Sequence, residues 1–181
     1  MNPMHGSNGS FQTFITSQRI LRTRRGQRWD MSNFHVRRAQ IKDASRLASL
    51  VHEWLNWDPS SGRAPSIDRA IRTHEFFVAE VESTIVGLIH FVLHEDVIDG
   101  APNAFITAFY VQERHRGKGI GEALLREAVM ASARRGATFI ETTTLHSRAK
   151  AFYERHGFRQ TFGDMGETFL ELDVAGYLEA Q

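Results

Sequence analysis

Between Tyr110 and Gly121 a strand-forming run ends, a basic cluster with three alternate glycines follows, and an amphipathic helix begins at once. That order of residues builds an anion site. The first turn of a helix has main-chain N–H groups without intrahelical acceptors, and the helix dipole adds partial positive charge there. Glycines let this backbone approach a bulky phosphate without Cβ obstruction. Arg116 and Lys118 can add charge-assisted bonds. Two familiar phosphate loops fail on the residues present. A P-loop needs Ser or Thr after the Gly-Lys pair, where Gly119 stands, and the dinucleotide fingerprint needs glycine where Glu122 stands. The plain alternative is a glycine-rich turn opening an ordinary surface helix.

Around this segment the apolar pattern alternates between strand and helix periods. Phe34 and Val36 open a short strand, and Asp43 lies in the first turn of a helix with Leu47, Leu50, Val51, Trp54 and Leu55 as its inward stripe. A loop over 58–66 precedes a short helix from Ile67 to Thr73. Strands are expected over Phe76–Val81 and Thr84–Leu93, joined by Glu82-Ser83, and over Ala104–Val111 after a loop holding Asp99, Gly100 and Pro102. A helix over Ile120–Arg134, a strand over Phe139–Thr143, a helix over Ser147–His156 and strands over Phe158–Phe162 and Thr168–Leu172 complete the chain. Strands alternating with single helices predict a mixed α/β sheet.

At 181 residues the chain has room for one ordinary domain. The absence of cysteine excludes disulfides, thiolate zinc sites and a cysteine nucleophile, and fits a cytoplasmic setting. No apolar run approaches the ~20 residues of a membrane span. The formal charge of +1 gives no global argument for nucleic acid. It is unevenly spread: residues 1–30 carry five arginines against one aspartate, a net of +4 that leaves −3 for the rest. We therefore expect a flexible basic extension over 1–30 and one domain over 31–181. The extension has three readings: a segment ahead of a start at Met31, a basic arm on nucleic acid or an acidic partner, or an Arg-rich targeting peptide.

A second motif lies downstream of the first, in Ala149-Lys150-Ala151-Phe152-Tyr153-Glu154-Arg155-His156-Gly157-Phe158. Together with Arg116-Gly117-Lys118-Gly119-Ile120-Gly121, at this separation, it resembles the paired signatures of the GNAT acetyltransferase superfamily, over about residues 34 to 172. The resemblance implies a central, mostly antiparallel sheet of six to seven strands flanked by about four helices. It implies an N-acetyltransferase with acetyl-CoA as cosubstrate, in which an amine attacks the thioester directly. Amides of Gly117, Lys118, Gly119, Ile120 and Gly121 would hold the pyrophosphate, with Arg116 nearby. Main-chain groups of Phe109, Tyr110 and Val111 would pair with pantetheine and polarise the thioester carbonyl. Tyr153 matches the family tyrosine that protonates the departing thiolate; packing or cofactor binding is its alternative role. The implied partner is a small-molecule amine, with no membrane expected, nucleic acid disfavoured and a homodimer allowed. Acetylation of a protein N-terminus or lysine, and a non-catalytic acyl-CoA sensor, are the competing readings.

The chain departs from the family pattern twice. His146 stands where an asparagine often contacts the cofactor. Thr107 and Ala108 occupy fourth-strand positions that often hold a basic carboxylate. The attacking amine must still lose a proton. Candidate bases are His90 and His94, spaced to share one strand face, together with Glu95, Asp96 and Glu141; Thr107 could position a water. Adjacent strand residues alternate faces, so His94, Glu95 and Asp96 do not make a metal site. Trp54, Trp57 and Asp58 belong either to the acceptor pocket or to the core.

Overall fold

A computed structural model describes residues 33–57, 66–97, 100–164 and 166–181, together with the backbone of 20–22 and 28–30. Asp58, Asp99 and the remainder of the Arg-rich extension lie outside the described residues. Within the extension, β1 (Ile20–Arg22) and β2 (Arg28–Asp30) pair as an antiparallel ribbon.

The main sheet contains β3 (His35–Arg38), β4 (Glu75–Val81), β5 (Thr84–Glu95), β6 (Pro102–Val111), β7 (Phe139–Thr144), β8 (Arg159–Asp164) and β9 (Glu167–Asp173). Its strand order is β3-β4-β5-β6-β7-β9-β8. Every neighbouring pair is antiparallel except β6 with β7. Pro102 is tolerated because it is the first residue of its strand.

The central strands are buried on both faces, so their side chains divide between two cores. Phe77, Ala79, Ile89, Phe91, Ala104, Ile106 and Ile140 face α3 (Ile120–Arg134), which contributes Leu124, Leu125 and Ala128. Phe76, Val78, Leu88 and Tyr110 face the other way, against Leu47, Leu50 and Val51 of α1 (Ala44–Leu55) and Ile67 of α2 (Ile67–Thr73). Each fully buried leucine contributes ~2 kcal/mol through the apolar area it removes from water. Asp43 precedes α1, in a short 3-10 turn, where Arg37 holds it at 2.7 Å; Arg37 also bonds Glu80 across to β4.

The chain ends on α4 (Ser147–Arg155) and α5 (Val174–Glu179). The last helix is an addition to the elements expected from sequence. Asp173 caps it through its side chain, and Val174 and Tyr177 enter the α3-side core.

Candidate active site

The site begins as a failure of pairing. Strand β6 pairs with β5 along its length, but with β7 only at Ala104–Ile106 against Ile140–Thr142. From Thr107 to Val111 the main-chain groups that face β7 have no ladder partner, and a wedge opens between the strands. An irregularity in the β5–β6 register accompanies the opening: His90 pairs with Ala108 and Phe91 with Ile106, leaving Thr107 as the extra residue. Such a bulge bends its strand and increases the local twist.

The chain leaves the wedge through Gln112 and a 3-10 turn over Glu113–His115, then reaches α3. Gly117 has φ 74° and Gly119 has φ 82°, a region open to glycine and strained for other residues. A Cβ on Gly117 would meet nothing within 4 Å, so that surface of the loop is clear. Gly119 is the N-cap of α3 and offers no side chain to its first amides. Gly121 lies against α4: a Cβ there would meet the Phe152 ring at 3.4 Å, an ordinary contact. Ile120 is buried and anchors the helix start.

The basic residues divide their roles. Lys118 is exposed and shares a concave surface with Arg114, His115, Glu82 and Thr84. His115 has its pKa lowered, first by burial and then by Lys118 and Arg114. Arg116 folds back instead. Its Nε donates to the Val111 carbonyl at 2.9 Å, and its guanidinium lies 5.6 Å from the Tyr110 ring centre. It braces the strand-to-loop corner.

Tyr153 sits in the α3-side core at 5 % exposure. Its ring packs 4.9 Å from that of Phe158 and 6.1 Å from that of Phe109, on the unpaired stretch of β6. Burial pushes its pKa up to about 12, opposed by a hydrogen bond with Thr142. Thr142 belongs to the last β6–β7 pair, so the Tyr153 hydroxyl lies beside the apex of the wedge. His146 is exposed as the N-cap residue of α4; its side chain makes no cap bond, and its N–H donates to Thr144 Oγ1 at 3.1 Å. Val111 is half-buried beside the α3-side core. Tyr110 faces the opposite side of the sheet.

On that opposite side Tyr110 donates to Glu53 Oε1 at 2.8 Å, and Gln112 Nε2 donates to Glu53 Oε2 at 2.8 Å. Burial and then Glu53 raise the Tyr110 pKa. Trp54 stacks on Tyr110 at 6.3 Å, which places it in the α1-side core, and Trp57 packs edge-on to His52 at 5.9 Å. Glu53 thus ties the end of α1 to the strand that feeds the glycine loop. It escaped sequence reading because a lone glutamate next to an apolar stripe looks like solvated surface.

His90 and His94 do share a sheet face, with different partners. His94 Nε2 lies 3.0 Å from Glu141 Oε2. Glu141 is directly opposite Glu171 on β9, whose pKa is raised by burial and then by Glu141 and Asp173. His90 bonds Thr107 Oγ1 through Nδ1 and lies 3.0 Å from His74 Nδ1 through Nε2. Burial and then His74 lower its pKa to about 4. Glu95 and Asp96 follow at the strand end, away from this hydrogen-bonded group. His74 carried no sequence signal: it ends a short helix sixteen positions before His90 and meets it only through β4–β5 pairing.

Comparison with known proteins places this arrangement. Residues 72–160 match the family described as Acetyltransferase (GNAT) domain. The chain is 31% identical over 99 residues to N-acetyltransferase 8F1 of Rattus norvegicus, covering 54% of this chain and 43% of that protein. It is 28% identical over 88 residues to N-acetyltransferase 8 of Homo sapiens, covering 48% and 39%. The matches thus span less than half the length of these relatives. Among solved structures, PaiA N-acetyltransferase of Thermoplasma acidophilum, in complex with coenzyme A, superposes with a TM-score of 0.61 at 20% identity, over 77% of this chain and 98% of that one. YncA of Salmonella typhimurium, with acetyl-CoA, gives a TM-score of 0.62 at 18% identity, over 79% and 95%. These likenesses establish the shared fold.

Proposed function

We propose that the chain is an acetyltransferase of the GNAT superfamily, a reading supported by the match of residues 72–160 to that family's domain, and that it transfers an acetyl group from acetyl-CoA to a primary amine by direct attack on the thioester. The observation that carries this reading is the β6–β7 wedge, with the uncapped start of α3 at its rim and the Tyr153 hydroxyl at its apex. The residues fit the cosubstrate on three counts. The first-turn amides lack a side-chain cap, the surface above Gly117 is clear, and main-chain groups without a β7 partner line one wall of the wedge.

When bound, acetyl-CoA supplies the activated acetyl group. The residues do the rest. Amides from Gly117 to Gly121 hold the diphosphate, with Lys118 beside them, and Arg116 keeps the loop corner in place. A main-chain N–H in the stretch Phe109–Val111 stabilises charge on the carbonyl oxygen. Tyr153, kept protonated by burial, gives its proton to the departing sulfur. Without cysteine there is no Cys-acyl step. Glu141 and Glu171 on the open sheet face favour an acceptor carrying positive charge, which suits a small amine.

Calorimetry with coenzyme A, paired with thiol release from acetyl-CoA across a panel of amines, tests the reading. Binding with turnover on at least one amine is expected. A folded protein with no affinity for coenzyme A would overturn it.

A further inference from the structure

We propose that His90 and His74 form a two-ring proton relay, drawing the proton of the attacking amine through Thr107 and delivering it to solvent. This rests on the acetyl-transfer reading and supplies the base that β6 lacks at Thr107 and Ala108. Thr107 is exposed where β6 parts from β7, on the face opposite Tyr153. Its Oγ1 bonds Nδ1 of His90, and Nε2 of His90 lies 3.0 Å from Nδ1 of His74. Both ring nitrogens of His90 are therefore committed within one chain. The Phe76 ring stands edge-on to His90 at 5.1 Å and holds its orientation. His74 is exposed, beside a surface depression lined also by Arg38, Arg72, Glu75 and Arg135. Further along the same face, His94 is occupied by Glu141.

The chain of bonds has two polarities, and the geometry accepts both. In the first, the Thr107 hydroxyl donates to Nδ1 of His90, and the Nε2–H of His90 donates to Nδ1 of His74. As the amine nitrogen bonds the acetyl carbon and the carbon–sulfur bond breaks, the amine proton passes to Thr107 Oγ1. The Thr107 proton moves to Nδ1 of His90, the Nε2 proton of His90 moves to Nδ1 of His74, and His74 releases its Nε2 proton to water. The second polarity results. Nδ1–H of His90 now donates to Thr107, whose hydroxyl can turn to the His90 main-chain carbonyl at 3.5 Å. Water at both exposed ends resets the chain by running it backwards. The low pKa of His90 fits a conduit: the ring stays neutral near pH 7 and does not retain the proton, which passes on to His74.

The test is the pH–rate profile of acetyl transfer for the wild type and for Thr107→Val, His90→Gln and His74→Gln, with coenzyme A affinity and melting temperature measured beside it. Thr107→Val and His90→Gln should lower kcat ~10²-fold with acetyl-CoA KM unchanged. His74→Gln, a surface change that does not threaten folding, should lower kcat about tenfold, and added imidazole should restore it. A wild type that turns over, with His74→Gln matching its rate and pH profile, removes the relay and leaves acetyl transfer standing. A wild type that binds no coenzyme A and releases no thiol removes both.

Discussion

Under the proposed reaction, one environment sets both the reactivity of Tyr153 and its share of stability. Its ring lies among Phe109, Phe152 and Phe158, and burial lifts its pKa to about 12. Tyr153→Phe keeps the packing and removes the proton, so turnover should fall ~10²–10⁴-fold while calorimetric coenzyme A affinity stays near wild type. Unchanged turnover would remove the general-acid role. A tyrosine pKa raised above its unfolded value near 10 also leaves full stability below that pH and drains it as pH climbs towards 12. Tyr153→Phe should therefore flatten alkaline unfolding over that window in urea melts. At this scale the tight turns at Gly117 and Gly119 and the short helix that carries Tyr153 were legible in the chain, because glycine spacing and an aromatic pair before a glycine stop are local signals. Glu53 and His74 were not. Each acquires its partner only when strands or helices distant in sequence come together.

Among the elements, α3 matched its sequence reading end for end, since the glycine loop marks its start and Gly136 its stop. The six-residue α5 was missed because so short a helix shows no period; Asp173 and its two buried side chains hold it. The start of α3 carries a prediction. Gly119→Val would force a β-branched residue to φ 82° and put a side chain over the first amides. Losing one charge-assisted bond costs about 1.5–3 kcal/mol, so coenzyme A should bind at least about tenfold more weakly. Wild-type affinity in that variant would refute the phosphate-loop assignment. The β4–β5 hairpin carries another. Glu82 and Ser83 adopt φ of 48° and 63° in a two-residue turn that favours Asn-Gly. The double change Glu82→Asn with Ser83→Gly should raise unfolding stability by about 1 kcal/mol in urea melts, through relief of left-handed strain. A lowered midpoint would contradict that account.

For the molecule as a whole, acid is the weak side. Asp43 and Glu80 have lowered pKa values, with Arg37 the leading cause for each, so the stability they supply is present above their ordinary values near 4 and lost as pH falls further. His90 begins the decline earlier. Its folded pKa of about 4, against an ordinary value of 6.5, means that stability is complete above 6.5 and drains between 6.5 and 4. His90→Gln should remove that early slope and leave the later carboxylate phase, as read from melting temperature against pH; an unchanged slope would assign it elsewhere. The strands of the mixed sheet were legible because periodicity reports each strand alone; their mostly antiparallel pairing was implied by the family resemblance and not by the pattern. The wedge followed from the resemblance alone, which implied free main-chain groups at Phe109–Val111, since no local pattern tells where two strands cease to pair.

That wedge is a slit through the middle of a sheet, with Tyr153 towards one surface and Thr107 towards the other. Under the proposed reaction, the nucleotide and the amine therefore dock from opposite sides and share no doorway. A single compound joining the two would run through the slit like a bolt through a plate and engage both ends at once. The tether would make its second contact intramolecular, worth roughly 10²–10⁴ in affinity without any new surface.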